Sequence, residues 1–390
     1  MNVLSLFDGM SCGQQALERT GIKVDNYFAS EIDKYAIQVT MANYPNTTQL
    51  GSVVDVDGYS LPKIDILIGG SPCQSFSFAG KRKGMSTKDE QEILTLDHYL
   101  RLKSEGYEFE GQSYLFWEYM RLLNEVKPTY FLLENVMMGE KWEKVLSKAI
   151  GVNAIEINSS LVSAQNRRRL YWTNIGMEAA GFFGDLESII EQPKDREILL
   201  RDVLESEIDD KYFLSDKMLN YLNVRAKRFA LPNIRKQYGK SSTLTVGGEG
   251  KSGGDMNLVV HNTMPRSGDP KKGGTGPLSR TDGKTYCLDT GNTNAVEVIP
   301  MDFRYDEGFR PRQNGKSPTL TITNDSNSFS GKPLAQINSQ IRRLTPIECE
   351  RLQTVKDNYT NYVSDSQRYK MLGNGWTVEV ITHIFKYIKQ

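Results

Sequence analysis

The chain has 390 residues, of which 38% are hydrophobic and 25% charged, a composition typical of a soluble globular protein and not of a disordered one. Its apolar stretches are too short to span a membrane, and its N-terminus lacks the basic segment and apolar core of a signal peptide. The length allows two domains, or one large domain with an insertion.

The four cysteines and three histidines are scattered along the chain, with no close pair of the kind found in zinc or redox motifs. We therefore expect free thiols in a reducing cytoplasm and no bound metal. The cysteines are Cys12, Cys73, Cys287 and Cys349.

The formal net charge is zero, with 48 basic and 48 acidic residues, but the charges are unevenly distributed. Residues 178–210 contain 3 basic and 11 acidic residues, whereas residues 211–340 contain 19 basic and 11 acidic ones. A basic region rich in Gly, Ser and Thr suits contacts to phosphates. Charge alone, however, is more often a solvated surface without a partner.

The first part of the chain alternates predicted strands and helices, which predicts parallel crossovers and an α/β fold with a mostly parallel, doubly wound sheet. The turn after the first strand leads into a helix starting near Gln14. Acidic residues, Glu31 and Glu134, follow two of the strands. The predicted strands are residues 2–7, 27–30, 64–68 and 129–133.

The turn between residues 8 and 13 indicates a nucleoside cofactor. Its glycines let the main chain approach a ligand, and Glu31 can accept hydrogen bonds from both ribose hydroxyls. The spacing is not Gly-x-Gly-x-x-Gly, so a pyrophosphate-containing dinucleotide fits poorly. A cofactor without phosphates, such as S-adenosylmethionine, fits better.

Cys73 lies in a small-residue turn after a buried strand, where open α/β sheets place their chemistry. Pro72 restricts the main chain before it, and a thiolate held in this way is a candidate nucleophile. The residue alone is equally consistent with a small buried hydrophobe.

In the middle of the chain the alternation of predicted strands and helices ends. Residues 232–331 are dominated by Gly, Ser, Thr and Asn. A Gly-Lys-Ser/Thr-x-x-Leu pattern occurs there three times, beginning at Gly239, Gly283 and Gly315. Each copy predicts a turn leading into a short strand, and together they predict hairpins of a small, loop-rich β module. Their Gly-Lys tips either contact phosphates or bases, or are plain turns.

Helical order returns near the end of the chain. Thr345 as N-cap, Pro346 and Glu348 predict a helix start, and the helix continues through Leu352. Residues 371–378 predict a turn that opens the final helix.

Six segments, in this order, resemble the motifs of the cytosine-C5 DNA methyltransferases of phages and bacteria, with spellings near the branch of the animal de novo enzymes. The resemblance implies a Rossmann-like catalytic domain, binding S-adenosylmethionine, in residues 1–177 and 341–390, and a smaller β target-recognition domain in residues 178–340. The matching segments are Phe7-Asp8-Gly9, Pro72-Cys73-Gln74, Glu134-Asn135-Val136, Gln165 to Arg169, Arg342 to Gln353 and Gly373-Asn374-Gly375.

The resemblance also implies roles for individual residues. Cys73 would attack C6 of a flipped cytosine, Glu134 would act at N3, and Arg169 with Arg167 would hold the O2 side. The cofactor residues would be Phe7, Asp8, Gly9, Met10, Glu31, Ile32, Ser52, Val53, Gly70, Pro72, Leu115, Asn374 and Trp376. The DNA-binding residues would be Gln74, Ser77, Lys81, Arg82, Lys83, Lys240, Lys284 and Lys316.

The chain departs from the family pattern in three places, one of which is Cys12, at a position where the family often has glycine. Ser52 stands where the family has an acid that binds the adenine amine, so either Asp55 or the main chain would take that role. The segment 75–113 is longer than in short members of the family, and we hypothesise that this extension adds DNA contacts.

The predicted function is DNA (cytosine-5-)-methyltransferase, with double-stranded DNA as partner, a restriction endonuclease as a possible genetic partner, and a monomeric state. The alternative is a cytosine-C5 tRNA methyltransferase of the same fold, but the long region 178–340 favours duplex DNA. An amino-group methyltransferase would carry Asp/Asn-Pro-Pro-aromatic at residues 71–74. A non-catalytic DNA-binding protein would be expected to lose Cys73, Glu134 or the cofactor turn, and a nicotinamide dehydrogenase has a different glycine spacing.

Overall fold

The computed structural model describes the chain in two compact units. The first comprises described residues up to Leu199, together with Cys287, Leu288 and the residues from Pro346 onward. The second comprises those between Leu200 and Tyr286 and between Thr293 and Thr345. The described residues are 1–72, 85–89, 91–180, 185–213, 257–262, 278–280, 284–288, 294–299, 301–304, 308–311 and 341–389.

A seven-stranded sheet forms the centre of the first unit. Its strands are β1 (Asn2–Leu6), β2 (Asn26–Ser30), β3 (Thr48–Gln49), β4 (Ile66–Gly70), β5 (Tyr130–Val136), β6 (Ile155–Asn158) and β7 (Arg168–Thr173). Their spatial order is β3-β2-β1-β4-β5-β7-β6. The pairs from β3 to β5 are parallel, and β7 is antiparallel to both of its neighbours. This arrangement confirms the predicted Rossmann-like α/β fold.

Helices pack against this sheet, and the strand residues Ile66, Leu67 and Ile68 are fully buried, as expected for a strand buried on both faces. The fully buried Phe116 and Trp117 add aromatic surface to the same core. The helices are α1 (Cys12–Thr20), α2 (Lys34–Asn43), α3 (Leu96–Ser104), α4 (Phe116–Val126), α5 (Glu140–Ile150), α6 (Pro346–Leu352), α7 (Asp365–Asn374) and α8 (Val378–Phe385). No described helix is long and apolar enough to cross a membrane.

Two strands extend beyond their predicted ends. The prediction that Glu134 and Asn135 follow the fourth strand is wrong, because β5 continues to Val136. The pairing with β7 holds this last part of β5 in the sheet. Gly70, predicted to lie in the turn after the strand, is likewise the last residue of β4, where it pairs with Glu134.

The predicted turn at residues 371–378 is also wrong in its first half. Met371 to Asn374 form the last turn of α7, and the Gly375 N–H donates to the Met371 carbonyl at 2.8 Å. Only residues 375–377 separate α7 from α8.

Short strands make up the described parts of the middle region. A hairpin of β8 (Met177–Ala180) and β9 (Asp185–Ser188) belongs to the first unit. The second unit contains an antiparallel sheet, in the order β11-β10-β12-β15, and the hairpin β13–β14. Their bounds are β10 (Asn257–Asn262), β11 (Leu278–Arg280), β12 (Asn294–Ile299), β13 (Met301–Arg304), β14 (Gly308–Pro311) and β15 (Ile341–Arg343).

The repeated Gly-Lys pattern does not form a strand where it can be followed. Its first and third copies lie outside the described residues. In the second copy Thr285 makes a single bridge, and residues 286–288 have no regular structure. The Leu288 N–H donates instead to the Gln165 side chain, at 2.9 Å, so it is not available to a neighbouring strand.

The extension between residues 75 and 113 contributes to the core. From it, Met85 and Ile93 are fully buried, and Tyr99 and Leu102 of α3 are 1% and 2% exposed. Deleting residues 89–106 would therefore open the core, independently of any contact between this segment and DNA.

A buried carboxylate joins this extension to α4. The fully buried Glu118 accepts hydrogen bonds from the Tyr99 hydroxyl and the Lys103 ammonium, both at 2.5 Å. Its second oxygen accepts from Arg121 Nε at 2.7 Å. A buried carboxylate with two cationic partners is expected to be costly to neutralise.

We expect Glu118→Gln to lower the free energy of unfolding by about 3 kcal/mol, because Lys103 and Arg121 lose their buried counter-charge. Denaturant unfolding would measure the loss. The control is Glu108→Gln, which removes an ion pair with Lys88 between two exposed side chains and should change little. Equal unfolding midpoints for the two variants would contradict this role for Glu118.

Candidate active site

The turn after β1 has an unusual main-chain conformation. Phe7, Gly9 and Ser11 have φ angles of 57°, 60° and 62°. Phe7 and Ser11 carry side chains, and each costs about 1 kcal/mol in this left-handed region. Strained main chain of this kind is concentrated at functional sites.

Glu31 follows β2 and is fixed by main-chain donors. Its carboxylate accepts hydrogen bonds from the N–H groups of Gly9, Ile32 and Asp33, at 2.8, 2.7 and 2.8 Å. The carboxylate therefore joins the turn after β1 to the segment that leads into α2.

A second acid, Asp8, lies in the turn itself. Its two oxygens accept from the Ser11 hydroxyl at 2.7 Å and the Tyr27 hydroxyl at 2.8 Å. Burial raises the pKa of Asp8 to about 6, and the negative charge of Glu31 acts in the same direction.

A carboxylate and a guanidinium meet where β5 lies beside β7. Glu134 is 8% exposed, and its Oε1 lies 2.9 Å from Arg169 Nε. Its Oε2 accepts from the Trp376 indole N–H at 3.2 Å. Glu134 is thus held from two sides by donors that come from separate parts of the chain.

Gly70 of β4 and Asn135 of β5 fix the segment that leads to Pro72. A Cβ at Gly70 would lie 2.9 Å from Trp376 Nε1 and 3.1 Å from Glu134 Oε2, so only glycine fits between them. The Asn135 amide donates to Ser71 Oγ at 3.0 Å and so holds the segment that leads to Pro72.

Arg167 contacts main-chain carbonyl groups near α7, whereas Arg169 contacts Glu134. It is 4% exposed and donates to the carbonyl oxygens of Gly373 at 3.1 Å and Gly375 at 2.9 Å. It therefore fixes the turn between α7 and α8. The expectation that Arg167 acts with Arg169 at the base stays a prediction.

These residues line one cavity of about 510 Å³, a size typical of small-molecule sites. Met10 is not among the lining residues, and its side chain is 1% exposed in the core. Ser52 lines the cavity and Asp55 does not. The predicted residues that line it are Phe7, Asp8, Gly9, Glu31, Ile32, Ser52, Val53, Gly70, Pro72, Leu115, Glu134, Arg167, Arg169, Asn374 and Trp376.

Several lining residues were missed from the sequence, because they belong to no short motif. Lys370 of α7 forms an ion pair with Asp33 at 2.6 Å, and Gln112 and Tyr114 come from the end of the extension. Cys12 also lines the cavity, and burial raises its pKa to about 12, so it keeps its proton.

Cys73 and most predicted DNA contacts lie outside the described residues. Of the latter, Lys284 alone is described, and it is half-buried. Within the described residues, no group of three or more His, Cys, Asp or Glu side chains could hold a metal ion. The predicted residues that lie outside the described part are Cys73, Gln74, Ser77, Lys81, Arg82, Lys83, Lys240 and Lys316.

Comparison with known proteins identifies the family. The model of the C-5 cytosine-specific DNA methylase family matches residues 1–390, so the chain belongs to this family. The orphan methyltransferase M.SPRI of Bacillus phage SPR is 28% identical, over 99% of this chain and 97% of that protein. The type II methyltransferase M1.ScrFI of Lactococcus lactis subsp. cremoris is 25% identical, over 97% of this chain and 75% of that protein.

Solved structures support the same fold. The methyltransferase EhMeth of Entamoeba histolytica has a TM-score of 0.56 and 14% identity, covering 99% of this chain and 97% of that one. A DNMT2 variant of Spodoptera frugiperda has a TM-score of 0.54 and 19% identity, covering 99% of this chain and 98% of that one. At these identities the likeness concerns the fold alone.

We expect Gly70→Ala to reduce methyl transfer by at least about tenfold, because the new Cβ would push Trp376 and Glu134 apart. The initial rate with labelled cofactor and DNA would measure this. The control is Gly139→Ala, whose Cβ would have no neighbour within 4 Å. A Gly70→Ala rate equal to that of the control would show that the close packing is dispensable.

The raised pKa of Asp8 predicts a pH-dependent stability. Folding favours the protonated acid, so its contribution is present below about pH 4 and is lost as the pH rises towards about 6. Asp8→Asn cannot ionise, so its stability relative to the unaltered protein should rise over this range, by about 2 kcal/mol.

Denaturant unfolding at several pH values would measure this difference. The control is Asp25→Asn, because hydrogen bonding to the N-terminal ammonium group lowers the pKa of Asp25. The difference in stability between Asp25→Asn and the unaltered protein should therefore become smaller as the pH falls below 4. If the difference in unfolding free energy between Asp8→Asn and the unaltered protein stays constant between pH 4 and 6, the raised pKa of Asp8 is contradicted.

Proposed function

We propose that the chain transfers a methyl group from S-adenosylmethionine to C5 of a cytosine flipped out of duplex DNA. One observation carries this proposal. The paired Glu134 and Arg169 line the same cavity as Glu31 and Pro72, and Pro72 directly precedes Cys73. The residues proposed to bind the base and the cofactor ribose thus line one cavity, and the candidate nucleophile directly follows a residue that lines it.

The cavity fits S-adenosylmethionine by its chemistry as well as its size. The carboxylate of Glu31, fixed by three main-chain donors, would accept hydrogen bonds from the ribose hydroxyls. Ile32 is 72% exposed although it is apolar, and it would pack on the adenine ring. The bound cofactor would supply an activated methyl group.

Cytosine C5 is a poor nucleophile, so the chain must activate the ring. The Cys73 thiolate would form a bond to C6, and the electrons displaced from the C5–C6 double bond would make C5 nucleophilic. After the methyl transfer, the C5 proton would pass to water, and the electron pair of the broken C–H bond would restore the double bond. The bond between C6 and sulfur would break in the same elimination, and its electrons would return to sulfur as the free thiolate.

The described residues would stabilise the ring during this addition. Glu134, acting as an acid, would protonate or hydrogen-bond N3, where negative charge develops. Arg169, fixed beside Glu134, would donate to O2 and orient the base. Arg167 would act indirectly, because its donors are engaged by the turn that carries Trp376.

Duplex DNA is the proposed substrate, and residues 178–340 the proposed recognition domain, with residues 1–177 and 341–390 as the catalytic domain. The excess of basic residues in 211–340 supports phosphate contacts. The tRNA alternative is less supported, because the matching family is one of DNA methylases and the relative M1.ScrFI is a type II methyltransferase. We further propose a monomer that acts in the cytoplasm of a bacterial or phage-infected cell, with or without a cognate restriction endonuclease.

The extension would contribute to DNA binding through its exposed side only, because its apolar side chains are buried. Arg101 of α3 is exposed and is the natural position for a substitution that tests this role without opening the core.

Incubation with labelled S-adenosylmethionine and unmethylated duplex DNA tests the function, followed by sequencing that locates 5-methylcytosine. We expect label at C5 of cytosine within a defined sequence. Cys73→Ser should lower turnover by at least about 10³-fold, since a hydroxyl is a far weaker nucleophile, while cofactor and DNA binding persist.

The matched control is Cys349→Ser, which alters a buried thiol of α6 that is not among the cavity residues. It should methylate DNA at close to the unaltered rate. Label found only in transfer RNA, or in adenine, would refute the proposed function. An active Cys73→Ser variant would refute the covalent step.

A further inference from the structure

A short segment from the middle of the sequence, inside the proposed recognition domain, groups with the first compact unit. Cys287 and Leu288 are more than a hundred residues from Gln165, yet they group with the first unit. The Leu288 N–H donates to Gln165 Oε1 at 2.9 Å, and both residues are at most 4% exposed. This buried hydrogen bond anchors the segment beside the start of β7.

The anchored segment places the Cys287 sulfur against both arginines of the site. Arg167 Nη1 lies 3.2 Å from Sγ, and Arg169 Nη2 lies 3.6 Å from it. Arg169 also contacts Glu134 through Nε. The sulfur therefore contacts Arg169 on its terminal nitrogen, while the carboxylate contacts it on Nε.

We propose that Cys287 is a positioning residue, which holds Arg167 and Arg169 so that Arg169 is directed at Glu134. The proposal rests on the proposed function of Arg169 and Glu134 at the base. The cluster, and not the cysteine alone, carries it: a buried main-chain anchor, a sulfur acceptor and two guanidinium donors.

The charges of the cluster favour a sulfur that accepts hydrogen bonds. Two guanidinium groups face one carboxylate, that of Glu134, and the carbonyl partners of Arg167 are neutral. Although burial alone would raise the pKa of Cys287, the charges of Arg167 and Arg169 lower it below its usual range. A thiolate accepts charge-assisted hydrogen bonds, which are stronger than those to a neutral thiol.

The other titratable groups near these arginines do not supply this charge. Burial raises the pKa of Cys12 to about 12. Burial also raises the pKa of Tyr171, which lies two residues after Arg169 on β7. Both groups are therefore neutral near pH 7. The Cys287 sulfur and the Glu134 carboxyl group are therefore the side-chain acceptors that contact Arg169 here.

The sequence pattern fits the same role. In the three Gly-Lys-Ser/Thr-x-x-Leu copies, the residue before the leucine is Thr243, Cys287 or Thr319. Each of these side chains carries a hydrogen-bond acceptor at the same distance from the main chain. In the described copy, this position is the one that contacts the arginines.

Steady-state kinetics of Cys287→Ala and Cys287→Ser would test the positioning role. Cys287→Ala removes the acceptor and should lower kcat by about 10- to 100-fold, with KM for DNA and Kd for the cofactor within about twofold. Cys287→Ser keeps an acceptor of similar size and should recover kcat to within about threefold. Cys349→Ala, a matched loss of a buried thiol, should retain the unaltered kcat.

A Cys287→Ala variant with more than half of the unaltered kcat would overturn the proposal. So would a Cys287→Ser variant as slow as Cys287→Ala, because the acceptor would then have no effect. An unaltered protein that methylates no nucleic acid would instead refute the proposed function, and the next measurement does not depend on activity.

That measurement is the pH dependence of Cys287 alkylation by iodoacetamide in the full-length Cys73→Ser protein, located by peptide mass. We expect a midpoint below the value of about 8.5 for a free thiol, and an increase of about one pH unit in Arg169→Gln. A midpoint at or above that of a free thiol, or one that Arg169→Gln does not change, would overturn the contact with the arginines.

Discussion

The pair formed by Glu134 and Arg169 depends on the direction in which β7 runs beside β5. In a parallel sheet the carboxyl ends of the strands share one edge, which is where β4 and β5 end. Because β7 is antiparallel, its first residues lie at that edge, and Arg169 is opposite Val136. Glu134 is two residues before Val136 and so lies on the same face of the strand. Main-chain register therefore sets the geometry of the ion pair.

Buried charges need this support, because desolvation makes an unpaired carboxylate or guanidinium costly. Glu134 is satisfied by Arg169 and by the indole of Trp376. Trp376 in turn lies on the turn that Arg167 fixes through two carbonyl oxygens. Each charged group is thus held by a segment distant in sequence, and the site forms only when the C-terminal helices pack on the sheet.

The sequence predicts the α/β sheet and half of the cavity residues, because apolar runs and short motifs are local signals. It fails where pairing decides the structure: Glu134 looks like a residue after a strand, but β7 keeps it inside β5. The turn expected at Met371 is helical for the same kind of reason. The contact of Cys287 with the arginines has no local signal, since it spans more than a hundred residues. Only the repeated pattern around Cys287 marks the position, and that pattern alone predicts a hairpin.

The charges of the cavity are divided between two regions, and this division argues for its two proposed ligands. Around the turn after β1, Asp8 and Glu31 are both acids, and the hydroxyls of Ser11 and Tyr27 stabilise Asp8. An acidic surrounding suits a cofactor that presents hydroxyl donors and a positive sulfonium. Around β7, the arginines give a basic surrounding, which suits a base that gains electron density at O2 and N3. A single uniform cavity would favour one ligand at the expense of the other. The acidic region lies at the turn after β1 and the basic region at β7. The two regions therefore stay apart, because β1 and β7 are separate strands of one sheet.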